Sequence, residues 1–484
     1  MGTAVQAANK KEIKYYIHSV IGLVLMFGIG FIPPMDPITP IGMKIIGIFV
    51  GMCYLWTTVE MLWPSVVCIF ALAFTGYAPM TNVLQVTFGA EAVWLSVFAM
   101  AIMAAIANAG LNDHIIAAFL GSKIINNRPW VFTFVFFIAV SVFCSCVNST
   151  VGYFLFWAIL ADFAARFGYK KGDRYIVLML IGVGAIGHMA ANLIPFRGMP
   201  MVMLYSLKSM GGVEIDFLRY MCISIPLQLI FILAYMAMMR FLFRCDVTPI
   251  SHISSDTFKK DLPPMTKLQK FLLGYLVFFI LALLAPSVIP KTTALGAALN
   301  SAGSVGIMMI LFGVLAMLRI AGEPILKFQK IVVNIYWEMP FLLAAAMGVS
   351  SILVSDATGV KAFLMKLLTP IFNGFTPVVF LVIFTLIAIL LTNICNNLVI
   401  AFMMAPIAVS YAAEVAINLP AAITLLVYAV LVAFLLPSAS ATAAMLMTNP
   451  LIDTKDWFKF IIPVLLCLTL VTICAGLPLC LLLY

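Results

Sequence analysis

Few side chains in this chain can do chemistry, and they gather at a handful of places. Asn148 and Asn396 each interrupt a long apolar stretch. Ser149 and Thr150 stand beside the first, and Thr392, Cys395 and Asn397 beside the second. Two further breaks follow, Pro195-Phe196-Arg197-Gly198-Met199-Pro200 and Pro437-Ser438-Ala439-Ser440-Ala441-Thr442. Carboxamides and hydroxyls donate and accept hydrogen bonds, and carbonyls freed at a helix break are hard oxygen ligands. Such sets can hold an anion or a small cation. They contain no clustered nucleophile and base, and no HExxH or GxSxG motif occurs, so an enzyme is not expected. Singly, each small polar group could be glue between membrane helices. Their recurrence at matching breaks favours a binding role.

Arg197 is the residue that most needs explaining. A charge in the middle of a membrane span costs about 2.5–3.5 kcal/mol even on the lenient insertion scale, so it should have a partner. One reading is a substrate carboxylate held in the guanidinium fork; the other is a structural partner, such as a carbonyl at a helix end, or snorkelling to an interface. Gly198, next to it, belongs to the same candidate set. His188 reads either as a proton-coupling group or as a neutral histidine bonded between helices. Asp113 and Asp356 occupy equivalent places in the two halves and read as helix breaks or ends rather than as a proton relay.

The elements that must position these residues lie in a membrane. The chain is 64% apolar and only 9% charged, far from the balance of a soluble domain. Apolar runs of 18 residues or more are spans. We place eleven, at 16–34, 42–59, 61–77, 92–120, 175–209, 218–243, 271–289, 300–320, 336–367, 419–448 and 457–482. No cleavable signal pattern precedes the first span. Segments 130–166 and 375–413 are too long for one span and break at their polar centres. Each is either two spans or a re-entrant hairpin, and arm length favours re-entry. With the amino terminus inside, twenty of the 27 Lys and Arg fall on the inner side and six outside, Arg197 remaining within the membrane. That asymmetry follows the positive-inside rule and accounts for the net charge of +9 without nucleic acid. The ten cysteines lie almost entirely in apolar segments, and Cys144 and Cys146 read as buried thiols rather than a metal site. Trp56, Trp63, Trp94 and Trp337 read as interfacial anchors.

The second half repeats the first. Asp216-Phe217-Leu218-Arg219-Tyr220 recurs as Asp456-Trp457-Phe458-Lys459-Phe460. Pro195 and Met203-Leu204 recur as Pro437 and Met445-Leu446, and the Trp94–Asp113 spacing recurs as Trp337–Asp356. An odd number of crossings per half inverts the second copy, so the two hairpins open from opposite sides. This divides the chain into a tail and first span (1–37), repeat 1 (38–243), a cytoplasmic linker (244–270) and repeat 2 (271–484). Inverted repeats with broken helices are the pattern of a secondary transporter.

On these residues the chain resembles the divalent anion/sodium symporter family of the ion transporter superfamily. That family carries Ser-Asn-Thr at its hairpin tips, where this chain reads Val147-Asn148-Ser149 and Cys395-Asn396-Asn397. The resemblance implies an all-α membrane fold with two opposed hairpins, an elevator mechanism, a homodimer, and transport of di- or tricarboxylates or sulfate with sodium or by exchange. It implies that Asn148 and Asn396 bind substrate and ion. Arg197 falls where the family has a small residue whose carbonyl holds the first sodium, so that site is expected to be missing. A second sodium site would be built from Thr392, Cys395, Asn396 and the Ala439 carbonyl. The expected substrate site comprises Asn148, Ser149, Thr150, Arg197, Gly198, Asn396, Asn397, Ser440 and Thr442, with His188 as a proton-coupling group. The expectation is a secondary transporter of small organic anions, with no cofactor beyond at most one Na+, in a bacterial cytoplasmic membrane with its carboxyl terminus outside. The rivals are a cation/proton antiporter of the same superfamily and a sodium-free carboxylate exchanger.

Overall fold

Within a bilayer every backbone N–H and C=O must find a partner inside the chain, so a sequence this apolar folds as helices. The computed structural model describes all residues except 1, 110–113, 115–120, 147–148, 212, 254–263, 321, 328, 330–331, 334, 336, 354, 364–365, 367–374, 395, 413–415, 437–438, 448–451 and 453–456. The only strands among the described residues are β1 (Arg319–Ile320) and β2 (Glu323–Pro324), an antiparallel pair with Arg319 opposite Pro324. Seven helices among the described residues are long and apolar enough to cross a membrane, or up to eight if the bent pair Met80–Thr87 and Glu91–Ile102 is one span. Six apolar helices are shorter.

The helices in chain order are α1 (Gly2–Gly28), α2 (Pro40–Thr58), α3 (Leu62–Ala73), α4 (Met80–Thr87), α5 (Glu91–Asn108), α6 (Pro129–Cys146), α7 (Ser149–Phe167), α8 (Arg174–Ala190), α9 (Gly198–Gly211) and α10 (Phe217–Ala237). After a linker come α11 (Lys267–Val288), α12 (Ala294–Met317), α13 (Glu338–Leu353), α14 (Pro377–Thr392), α15 (Asn397–Ala412), α16 (Leu419–Leu431), α17 (Ala441–Met447), α18 (Trp457–Val471) and α19 (Leu477–Leu483). Side-chain oxygens set many of the starts: Thr39 caps α2, Asp216 caps α10, Thr376 caps α14 and Asn418 caps α16. Thr266 and Gln269 form a capping box on α11.

α6 and α7 run antiparallel along an aromatic seam. Phe132 stacks on Phe163 at 5.1 Å, and Phe136 and Phe143 both meet Phe156 edge-on. α14 and α15 pair likewise, with Phe380 stacked on Tyr411 at 4.2 Å. The start of the linker lies against the base of the first pair. Ile253 accepts from Asn127 N, and Asp246 O accepts from the Tyr169 hydroxyl.

Besides the bent α4–α5 pair, two apolar helices among the described residues break off and restart. α8 ends at Ala190, and residues 191–197 run non-helically past Pro195 before α9 begins. Pro195 has no N–H to continue a helix, and Gly198 has φ +58, which favours glycine. α16 ends at Leu431, and α17 restarts at Ala441 with Ser440 Oγ accepting from Ala443 N at 3.1 Å. The half-helices after the breaks cross over. α9 packs on α15 and α16, and α17 packs on α8. The α8–α17 approach needs a glycine, since a Cβ at Gly184 would lie 2.5 Å from Leu446 Cδ1.

One anchor expectation is corrected. Trp56 is 4% exposed and donates to Ser65 Oγ at 3.0 Å, so it is a core residue. Ser65 of α3 and the Phe402 ring of α15, 5.9 Å away, cover it. Trp94 and Trp337, at 47% and 43% exposure, do lie at the surface. Asp356 stands, exposed, in a short 3-10 turn just beyond α13. Asp113 lies outside the described residues.

Candidate functional site

The end of α14, the start of α15 and the break after α16 meet in one polar knot. Thr392 Oγ1, fully buried, donates to Val430 O at 2.9 Å. Asn393 Nδ2 donates to Ile389 O (2.8 Å) and Val432 O (2.6 Å), while its Oδ1 accepts from Phe434 N (3.1 Å) and Leu435 N (2.9 Å). Ser440 Oγ donates to Ala433 O at 2.7 Å. The Ala439 carbonyl accepts from Asn397 N at 3.2 Å. Thus Thr392, Asn396, Asn397, Ala439 and Ser440 are brought together.

Asn396 and Asn397 open α15 in a particular way. Both Oδ1 atoms accept from Leu398 N at 2.9 Å, which caps the helix. Neither Nδ2 group donates to a protein group among the described residues. Two amide donors at the positive end of a helix suit an anion.

The first half uses a different tie. Arg197 Nη1 donates to the Ser145 carbonyl near the end of α6 at 2.7 Å. Arg197, Ser145 and Cys146 line a cavity of about 10 Å³ together with Ala99, Phe196 and Phe279. That volume is at the lower bound for one water, so this cavity admits no carboxylate as it stands. Gly198 supplies the turn beside it. Ser149 Oγ donates to Cys144 O at 3.4 Å. Asn148, Cys395 and the side chain of Thr150 lie outside the described residues.

A third cluster joins the halves. Thr442 Oγ1 is 2.9 Å from His188 Nδ1, and the Tyr153 hydroxyl is 3.5 Å from the same nitrogen. His188 Nε2 is buried with no hydrogen-bond partner among the described residues. His188 and Thr442, read separately in the sequence, are therefore in contact.

Sequence reasoning missed Asn393, Tyr153 and Asn192, whose Nδ2 donates to Val427 O at 3.3 Å. Asn393 stands in the same apolar stretch, next to Thr392, but Asn396 three residues on carries the resemblance. The only available signal was a second carboxamide in the same apolar run. Among the described residues no group of three or more His, Cys, Asp or Glu is placed to hold a metal.

The family described as "Sodium:sulfate symporter transmembrane region" matches residues 13–483. A search of curated proteins finds no match to the chain.

Proposed function

The chain belongs to the sodium:sulfate symporter family, and on that premise we propose that it is a secondary transporter of small organic anions of the di- or tricarboxylate kind. The observation that carries this reading is the start of α15, where the amide groups of Asn396 and Asn397 have donors that no described protein group takes, at a helix amino terminus. Asn148, Ser149, Thr150 and Gly198 would supply the opposing side, with Ser440 and Thr442 holding the second break. Eleven spans, two opposed hairpins and rigid-body elevator movement of the hairpin-bearing part, in a homodimer, complete the proposal.

Arg197 would replace one sodium. Its Nη1 lies 2.7 Å from the Ser145 carbonyl oxygen, which a bound cation would otherwise take as a ligand. At most one sodium would then be carried, near Thr392, Cys395, Asn396 and the Ala439 carbonyl. Because Arg197 engages a backbone carbonyl, it is assigned to charge replacement rather than to direct grip on the substrate.

The test is uptake into proteoliposomes of labelled dicarboxylates, tricarboxylates and sulfate, under sodium, proton and preloaded-anion gradients. Wild type should take up a carboxylate with little or no sodium requirement, and Arg197→Gly should lose uptake or become sodium-dependent. Equal sodium dependence in both proteins would refute the role of Arg197. Uptake of sulfate alone would refute the substrate class.

A further inference from the structure

At the broken end of α16 the helix leaves carbonyl oxygens without intrahelical partners, and these carry the negative end of its dipole. In transporters built from broken helices such oxygens are where a coupling cation binds. Here they are already taken by neutral donors of the chain itself. Val430 O accepts from Thr392, Val432 O from Asn393 and Ala433 O from Ser440.

Asn393 does the most. It is 6% exposed, and its two donor hydrogens and two acceptor positions are all used. The pattern fixes which way the amide points. A flipped amide would set Oδ1 against two carbonyls and Nδ2 against two N–H groups. The Nδ2 group stands 2.6 and 2.8 Å from two carbonyl oxygens, so it fills the space between them that a small cation would need.

We propose that Asn393 is a built-in substitute for a bound cation. Its amide hydrogens neutralise the carbonyls at the end of α16 and tie α14 to the break, so the second half of the chain closes around its anion without sodium at that place. Together with Arg197 on Ser145 O, each half then carries its own fixed positive pole. This rests on the anion-transporter reading and goes beyond it by removing the remaining sodium. The oxygens left for that ion are engaged as well: Thr392 Oγ1 donates to Val430 O, and Ala439 O accepts from Asn397 N.

The experiment is Asn393→Asp in the full chain, purified into nanodiscs and into proteoliposomes. Aspartate keeps the acceptor for Phe434 N and Leu435 N but turns a second oxygen toward Ile389 O and Val432 O. Three facing oxygens form a site that a cation would fill. Thermal unfolding is compared in NaCl, LiCl and choline chloride at one ionic strength, over a range of pH. The wild-type midpoint should be the same in NaCl and choline chloride. N393D should be destabilised in choline and recover in sodium or lithium, with uptake lowered about tenfold or more in choline, as expected for two buried donors lost. A wild type stabilised by sodium over choline would overturn the proposal, and so would N393D that recovers in acid alone with no preference for sodium. If N393D does not fold, the wild-type comparison still decides. The thermal readout uses no transported anion, so a wrong substrate class and a wrong role for Asn393 remain distinguishable.

Discussion

The contact between His188 and Thr442 offers the sharpest test of how the two halves are joined. Thr442→Val removes one hydroxyl at constant shape from a residue 3% exposed, and it takes away the partner 2.9 Å from His188 Nδ1. Since Nε2 has no partner among the described residues, the imidazole would keep, among them, the Tyr153 hydroxyl at 3.5 Å. A buried polar group left unsatisfied costs about 1–3 kcal/mol in soluble proteins. Hydrogen bonds between membrane helices average about 0.6 kcal/mol, with a maximum near 1.7. The Tyr153 hydroxyl can move in to replace Thr442, so the membrane range is the right one. A double-mutant cycle of Thr442→Val with His188→Phe should give a coupling energy of about 0.6–1.7 kcal/mol, measured from SDS unfolding titrations in mixed micelles. Tyr153→Phe should cost less than Thr442→Val. A coupling energy below about 0.3 kcal/mol, the ordinary error of additivity, would refute the reasoning. It would mean that packing of α17 on α8, through Gly184 and Leu446, holds the halves together without the hydrogen bond.

Two other predictions follow from local geometry. Gly198→Ala meets nothing closer than Ala191 O at 3.8 Å, so its effect should be purely conformational: about 1–2 kcal/mol for a β-carbon at φ +58. A melting midpoint equal to wild type would show that the chain between α8 and α9 can be redrawn. In the linker, the Thr248 hydroxyl and then its backbone N–H donate to Asp246 and hold that carboxyl below the usual carboxylate range. A carboxyl whose folded pKa is depressed contributes stability above its unfolded value near 3.9, lost as pH falls through the lower folded value. Thr248→Val should therefore move the Asp246 titration upward toward that ordinary value, read by carbon-13 NMR. An unmoved titration would assign the shift to something other than the hydroxyl.

Much of the architecture is local and was therefore legible. Apolar runs in a bilayer favour helix, and Pro195, which has no N–H to donate, and Gly198, which takes a positive φ, suit the break between α8 and α9, although Pro226 and Pro406 sit inside helices. Wide coverage by one family adds that the chain is a transporter. What the sequence could not settle is which polar group does what. Asn393 and Asn396 are the same residue type, three apart in one apolar stretch. One is plugged into four backbone groups, while the side chain of the other only accepts from Leu398 N among the described residues. The difference is made by residues around Val432, some forty positions further on, which bring unsatisfied carbonyls and N–H groups to Asn393 alone. His188 and Thr442 are 254 residues apart, and only the crossing of α17 over α8 makes them partners. Even Trp56 illustrates the point: its position near a span end suggested the interface, but α3 offers Ser65 and α15 offers Phe402, and the ring is buried. Helix and break are written in each residue's own chemistry. A hydrogen-bond partner is decided by what distant segments leave unpaired, and only the tertiary structure fixes that.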